Sequence, residues 1–232
     1  MKHISFHTTH WSIVLAAKGD HSKAHAALSE LCKIYREPIL RYIERTIRTG
    51  TPDSYGGRNA EDLTHDFLAR LLEGKLFAHV ERREGGFRAY LQGAVRHSLA
   101  NVRQRESAAK RTFSRYSGNT VAGSLEDIPQ TDEETMFDCD WARTTINRAV
   151  ALLGDSQETK TLLPWLTRTI TLEDRKRLVK ELGKTEAAVK IALYRLRKKF
   201  QQHVRHIIAH TVESEAEIDA ELDHLIKMLA RQ

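Results

Sequence analysis

Residues Thr171 to Arg205 read TLEDRKRLVKELGKTEAAVKIALYRLRKKFQQHVR, a pattern that predicts two helices joined by a tight turn. Thr171 followed by Asp174 is a capping-box arrangement, in which each side chain bonds the other residue's backbone N–H. It opens a first helix whose apolar residues are Leu172, Leu178, Val179 and Leu182. Gly183 stands where that helix should stop, because glycine enters the left-handed region without steric cost. Thr185 then caps a second helix carrying Val189, Leu193, Leu196 and Phe200 at spacings of four, three and four, one apolar stripe at helical period. The other faces of that helix carry Lys190, Tyr194, Arg195, Arg197, Lys198 and Lys199. This is a helix-turn-helix pattern, which would lay its second helix in a DNA major groove. From Arg175 to Arg205 there are eleven Lys or Arg against only Glu181 and Glu186, a field that attracts phosphates and releases their counterions.

The full chain has 232 residues with 41% hydrophobic and 29% charged, which places it among globular proteins and allows two small domains. Net charge is +6, suited to a polyanionic partner. No apolar run reaches the length of a membrane span and no signal peptide is evident, so a cytoplasmic protein is expected. Cys32 and Cys139 lie far apart and match no metal spacing, so they read as reduced structural thiols. Four prolines, twelve glycines and little alternating β-branched sequence predict an all-α fold.

In chain order, residues 1–22 form an N-terminal extension with an apolar patch from Trp11 to Ala17. Ser22 caps a helix through Leu28, Leu31 and Tyr35, which Pro38 should end or kink. A second helix follows from Ile39 to Ile47, then a loop with Gly50, Pro52, Gly56 and Gly57. Ala60 to Glu73 predicts a helix with Leu63, Phe67, Leu71 and Leu72 inside and Glu61, Asp62, His65, Asp66 and Arg70 outside. Its early acids suit the helix dipole and also offer an acidic docking face. After a polar loop, Glu81 to Gly86, a long helix begins near Phe87. Phe87, Tyr90, Leu91, Val95, Leu99 and Val102 form its packed side. Arg88, Arg96, His97, Asn101, Arg103, Arg105, Lys110 and Arg111 form a basic, hydrogen-bonding side. Aromatic residues beside arginines suit single-stranded bases, although Phe87 reads as ordinary core. From Tyr116 to Trp141 there are seven acids and no Lys or Arg, which predicts a flexible linker. A helix is expected from Trp141 to Leu153, and a last amphipathic one from Ser214 to Ala230. The latter would bury Ile218, Leu222, Leu225, Ile226 and Leu229, with Glu213, Glu215, Glu217, Asp219, Glu221 and Asp223 outside.

The ordered set of motifs resembles the extracytoplasmic-function sigma factors of bacterial RNA polymerase, from about Ala24 to His210. AEDLTHDFLARLL is similar to their region 2.2, which faces the polymerase clamp helices. GGFRAYLQGAVRHSLANVRQR is similar to regions 2.3 and 2.4, which melt and read the −10 element, and LVKELGKTEAAVKIALYRLRKKF to region 4.2, which reads the −35 element. TTHWSIVLAA and the acidic C-terminal helix resemble a subset common in planctomycete-like bacteria. The resemblance implies two helical domains: region 2 at 23–112 and region 4 at 141–210, joined by an acidic linker at 113–140, with a C-terminal helix at 211–232. It implies polymerase contacts from Glu61, Asp62, His65, Asp66 and Phe67, and −10 contacts from Arg88, Tyr90, Arg96, His97, Asn101 and Arg103. The −35 contacts would come from Thr185, Lys190, Tyr194, Arg195, Arg197 and Lys198. Tyr90 stands where Trp is commoner, His97 where Asn is frequent, and His65 where Gln is usual. The implied partners are the polymerase core, through its β′ clamp helices and β flap, promoter DNA, and an anti-sigma factor or other regulator. No cofactor, metal or catalytic residue is implied.

Two rival readings use the same residues. One is a dimeric helix-turn-helix regulator with the last helix as its seam. The other is a metal-dependent enzyme or zinc switch built on His21 and His25, or on His203, His206 and His210, since helical histidines at such intervals can chelate.

Overall fold

The computed structural model describes residues 10–16, 21–50, 54–73, 86–117 and 130–231. Among them all regular structure is helical, with no strand, as the composition predicts. The chain divides into two compact units, Met1–Thr144 with Ala209–Gln232, and Thr145–Ile208.

The first unit contains α1 (His10–Ala16), α2 (His21–Thr49), α3 (Ala60–Leu72), α4 (Gly86–Ser117), most of α5 (Gln130–Ala151) and α9 (Glu215–Leu229). Each contributes buried apolar side chains. Leu31, Tyr35, Ile39 and Ile43 come from α2, Phe67 and Leu71 from α3, and Phe87, Leu91 and Val95 from α4. Phe137 and Trp141 of α5 and Ile218, Leu225 and Met228 of α9 complete the core. Full burial of one such side chain contributes about 1.5–3 kcal/mol. Tyr35 meets Phe87 edge-on at 5.2 Å, and Tyr42 meets Phe137 likewise at 5.9 Å.

Three expectations are corrected here. Helix α2 does not end at Pro38 but continues to Thr49. Proline removes one backbone donor and crowds the preceding turn, while the buried stripe on both sides of Pro38 holds the helix together. The acidic stretch expected to be a tether at 113–140 is helical from Gln130 onward, with Phe137, Asp138 and Asp140 buried. Its part from 118 to 129 lies outside the described residues, as does the loop at 81–85. The C-terminal helix is not a separate appendage: it belongs to the first unit. Its buried face is Ile218, Glu221, Leu225 and Met228, while Ile226 is 61% exposed.

The turn before α9 is tied in by backbone bonds. The Trp11 N–H donates to the His210 carbonyl at 3.2 Å and the Phe87 N–H to the Thr211 carbonyl at 2.9 Å. Gly86 opens α4 with φ +53°, and a Cβ there would lie 2.5 Å from the Thr211 carbonyl oxygen. Glycine is required at this position by both conformation and space.

The second unit holds α6 (Gln157–Leu162), a 3₁₀ turn (Leu163–Trp165), α7 (Leu172–Leu182) and most of α8 (Glu186–Ala209). Its own core is Leu162, Trp165, Leu178, Val189, Leu193 and Leu196. Leu153, Leu166, Ile170, Val179, Leu182 and Ala192 pack around it. Leu172, expected inside, is 61% exposed, because the capping residue beside it fixes the first turn with that side outward.

Candidate nucleic-acid interface

The turn between α7 and α8 is built from local sequence. The Thr171 hydroxyl oxygen accepts from the Asp174 N–H at 3.2 Å, and the Asp174 carboxylate accepts from the Thr171 N–H at 3.2 Å and its hydroxyl at 2.6 Å. These bonds to Thr171 hold the Asp174 carboxyl below its ordinary range. Gly183 ends α7 in the left-handed region at φ 62°. Thr185 caps α8, its hydroxyl oxygen accepting from the Ala188 N–H at 3.3 Å. Arg175 of α7 then crosses to Glu186 of α8 at 2.8 Å, and that guanidinium holds the Glu186 carboxyl low.

With Val189, Leu193 and Leu196 buried, the other faces of α8 are left to solvent. Lys190, Tyr194, Arg195 and Lys198 are all exposed, Tyr194 at 67%. Thr185 is exposed as well as capping. Arg197 differs. It is half-buried, and its Nη2 donates to the carbonyls of Trp165 and Arg168, both at 2.7 Å. Arg197, expected on phosphate, uses that Nη2 to tie the segment before α7 to α8. Arg177 stacks over the Trp165 ring at 5.6 Å, closing the same core from outside.

A groove of about 560 Å³ runs along this side of the unit, bordered by Arg168, Ile170, Arg175, Lys190, Tyr194 and Arg197. Arg168 and Arg175 were not among the residues expected at the site. The capping box places Arg175 in the first turn of α7, which was the available signal. The second unit carries fourteen Lys or Arg against six Asp or Glu, a net charge of +8, while the rest of the chain nets −2. The whole positive excess of the protein therefore lies in the unit that holds α7 and α8.

The residues expected to meet a −10 strand are distributed differently along α4. Arg96 and His97 are exposed, and Asn101 and Arg103 are half-buried. Tyr90 is half-buried, stacked near Trp11 at 5.6 Å and Phe87 at 6.1 Å, and burial pushes its phenol above the usual range. Arg88 is corrected outright, since it does not face solvent. It is 8% exposed, with Nε donating to Glu221 Oε1 at 2.6 Å, Nη2 to Glu221 Oε2 at 3.3 Å and Nη1 to Asp138 Oδ1 at 2.7 Å. Its guanidinium lies 5.2 Å from the Trp141 ring centre, and His224 Nε2 meets the other Asp138 oxygen at 2.8 Å. Burial acts to discharge Arg88, but the bond to Glu221 and the Glu221 and Asp138 charges outweigh it, leaving its basicity raised.

On α3, Glu61, Asp62, His65 and Asp66 are exposed. Glu61 pairs with Arg36 at 2.6 Å, and Asp66 pairs with Arg58. Asn59 caps this helix, accepting from the Asp62 N–H at 2.8 Å. Phe67 is core, 2% exposed, and supports that face from beneath rather than forming part of it.

The histidines are scattered. His203 is half-buried, His206 is exposed, and His210 stacks on His10 at 4.2 Å, while the side chain of His21 lies outside the described residues. Among the described residues no group of three or more His, Cys, Asp or Glu side chains is placed to hold a metal. None of the described helices is long and apolar enough to cross a membrane. Comparison with protein-family models, curated proteins and solved structures finds no match to this chain.

Proposed function

We propose that this protein is a sigma factor of the extracytoplasmic-function type, which brings bacterial RNA polymerase core to promoters. In this reading α8 enters the major groove of the −35 duplex, with Lys190, Tyr194 and Arg195 at base edges and Lys198 on phosphate. Tyr90, Arg96, His97, Asn101 and Arg103 on α4 meet the separated −10 strand. Flipping a base costs a few kcal/mol, which stacking and hydrogen bonds on that face must return. The acidic face of α3, with Glu61, Asp62, His65 and Asp66, docks on the polymerase clamp. Arg88 takes no part in DNA contact, because carboxylate oxygens occupy its Nε, Nη1 and Nη2, and Arg197 positions α8 through its Nη2.

One observation carries the proposal: a helix-turn-helix with its own core, a left-handed glycine turn and a solvent-facing basic helix, in a unit of net charge +8. A dimeric regulator is less well supported. Its seam would be α9, and the apolar stripe of that helix is already covered within the first unit.

Run-off transcription with purified core polymerase, on the upstream region of the protein's own gene, tests the proposal. A specific transcript is expected, lost in the Lys190→Ala, Arg195→Ala double variant while core binding persists. Loss of core binding in that variant would refute the division of labour, and no transcript from the unaltered chain would refute the function.

A further inference from the structure

Helix α8 carries a second stripe. Ala187, Ile191, Tyr194 and Lys198 repeat the four-three-four spacing of Val189, Leu193, Leu196 and Phe200, displaced by two residues. Two residues are about 200° round an α-helix, so this stripe lies on the side opposite the buried one. A helix ordinarily places its most polar residues there. Here the face holds an alanine methyl, an isoleucine 51% exposed and a tyrosine 67% exposed. Single exposed apolar side chains are common, but an aligned set opposite the core is a feature of the surface. Cations border it on both sides, Lys190 on one flank and Arg195 and Lys199 on the other. The one acid near its start, Glu186, is engaged by Arg175 at 2.8 Å, with Lys190 at 3.7 Å.

An apolar ridge between two cationic flanks is complementary to one surface in particular. The major groove has phosphates along both walls, and its floor is apolar only where thymine presents its 5-methyl group. We propose that Ile191 and Tyr194 are specificity-determining residues that read thymine methyl groups in the major groove, with Lys190 and Arg195 beside them. The inference rests on α8 being the duplex-reading helix and adds what it reads. Guanine offers acceptors to the flanking cations, so the recognised element carries thymine at the ridge and guanine next to it. The ring of Tyr194, standing outward, packs its edge on the same methyl and leaves its hydroxyl to water or phosphate.

The test uses the full chain, alone and bound to core polymerase. Duplexes enriched from a random pool are resynthesised with each thymine in turn replaced by deoxyuridine, which differs only by the methyl. At one or two adjacent thymines, this replacement should weaken binding about fourfold, the value of one buried methyl-sized group. Ile191→Ala should bind less tightly and lose the thymine–uracil difference, whereas Ile191→Val keeps it. Both variants change an exposed side chain and should fold as the parent does. An enriched duplex that tolerates uracil everywhere, or an Ile191→Ala variant that still discriminates, overturns the inference and leaves duplex binding standing. Failure to enrich any duplex, with Ile191→Ala weakening polymerase binding instead, overturns both and makes the ridge a protein-docking face.

Discussion

Replacing Glu221 with alanine should loosen the first unit through a residue that itself makes no proposed contact with DNA. Glu221 holds Arg88 through both carboxylate oxygens, at 2.6 and 3.3 Å, while Asp138 takes the remaining Nη at 2.7 Å. Side-chain exposure is 9% for Arg88, 6% for Glu221 and 12% for Asp138, so water cannot replace the lost carboxylate. Removing one partner of a buried pair costs about 3–5 kcal/mol, because the other charge stays behind. Arg88 keeps Asp138, which places the expected loss near the lower end, about 3 kcal/mol. For a unit of this size that is a fall in Tm of roughly 6–12 °C. Replacing both members with apolar residues, Arg88→Met with Glu221→Leu, should recover most of it, since a well-packed apolar pair is often as stable as a buried ion pair. Denaturant melts of Arg88→Met, Glu221→Leu and the two combined give the coupling energy directly. Hydrogen exchange should rise in α9, the start of α4 and the middle of α5 together. A Glu221→Ala cost under about 1 kcal/mol, the range of solvent-exposed pairs, would refute the reasoning.

Arg197→Ala should destabilise the second unit by about 2–4 kcal/mol, from two charge-assisted bonds to carbonyls, whereas Lys198→Ala should leave its melting point unchanged and lower DNA affinity and its salt slope. Gly183→Val forces a β-branched residue to φ 62° and should cost more than Gly183→Asn, which tolerates that region; equal melting points would contradict the turn assignment. Because Thr171 and Arg175 hold the Asp174 and Glu186 carboxyls low, their stabilising contribution is present above the ordinary carboxylate range of about 4 and lost as pH falls below it. Asp174→Asn should flatten that acid limb in melts of the protein. At the other extreme, burial raises the phenols of Tyr35 and Tyr90, so their contribution holds below the free-tyrosine value of about 10 and is lost as pH rises past it. A near-ultraviolet titration should show one late phenol fewer in Tyr90→Phe than in the unaltered chain.

What was legible in the sequence is what neighbouring residues decide among themselves. The Thr171–Asp174 box, the Gly183 turn and the Val189 stripe use contacts within a few positions, and the observed helix ends fall where those residues put them. The burial of Phe87 was legible for the same reason. Legibility fails where a residue is satisfied by something remote. Glu221 lies three after Ile218 and four before Leu225, on the apolar face by period, yet an acid there reads as solvent-exposed unless its partner is known. That partner, Arg88, is 133 positions away. The acidic run at 113–140 misled in the same way: Asp138 and Asp140 are buried among cations, Arg88 for one and Arg45 for the other, the latter at 2.5 Å, so the run has a packed end rather than being a solvated tether.

The same limit governs which basic residues remain for a polyanion. Arg88, Arg197 and Lys190 all stand next to one buried residue, Phe87, Leu196 and Val189, and three before another apolar position, Leu91, Phe200 and Leu193. Position on the helix therefore does not separate them. What does is the oxygen opposite. Arg88 meets two carboxylates, Glu221 matching the planar fork of its guanidinium, and Arg197 gives its Nη2 to two carbonyls. Lys190 meets only Glu186 at 3.7 Å, a carboxylate already bonded to Arg175, and its side chain remains 60% exposed. A count of arginines and lysines along a helix thus overstates its DNA-facing charge by those that find oxygen within the protein. If that account is right, Lys190→Ala should weaken DNA binding and relax its base preference with no change in Tm, whereas Arg197→Ala should lower Tm.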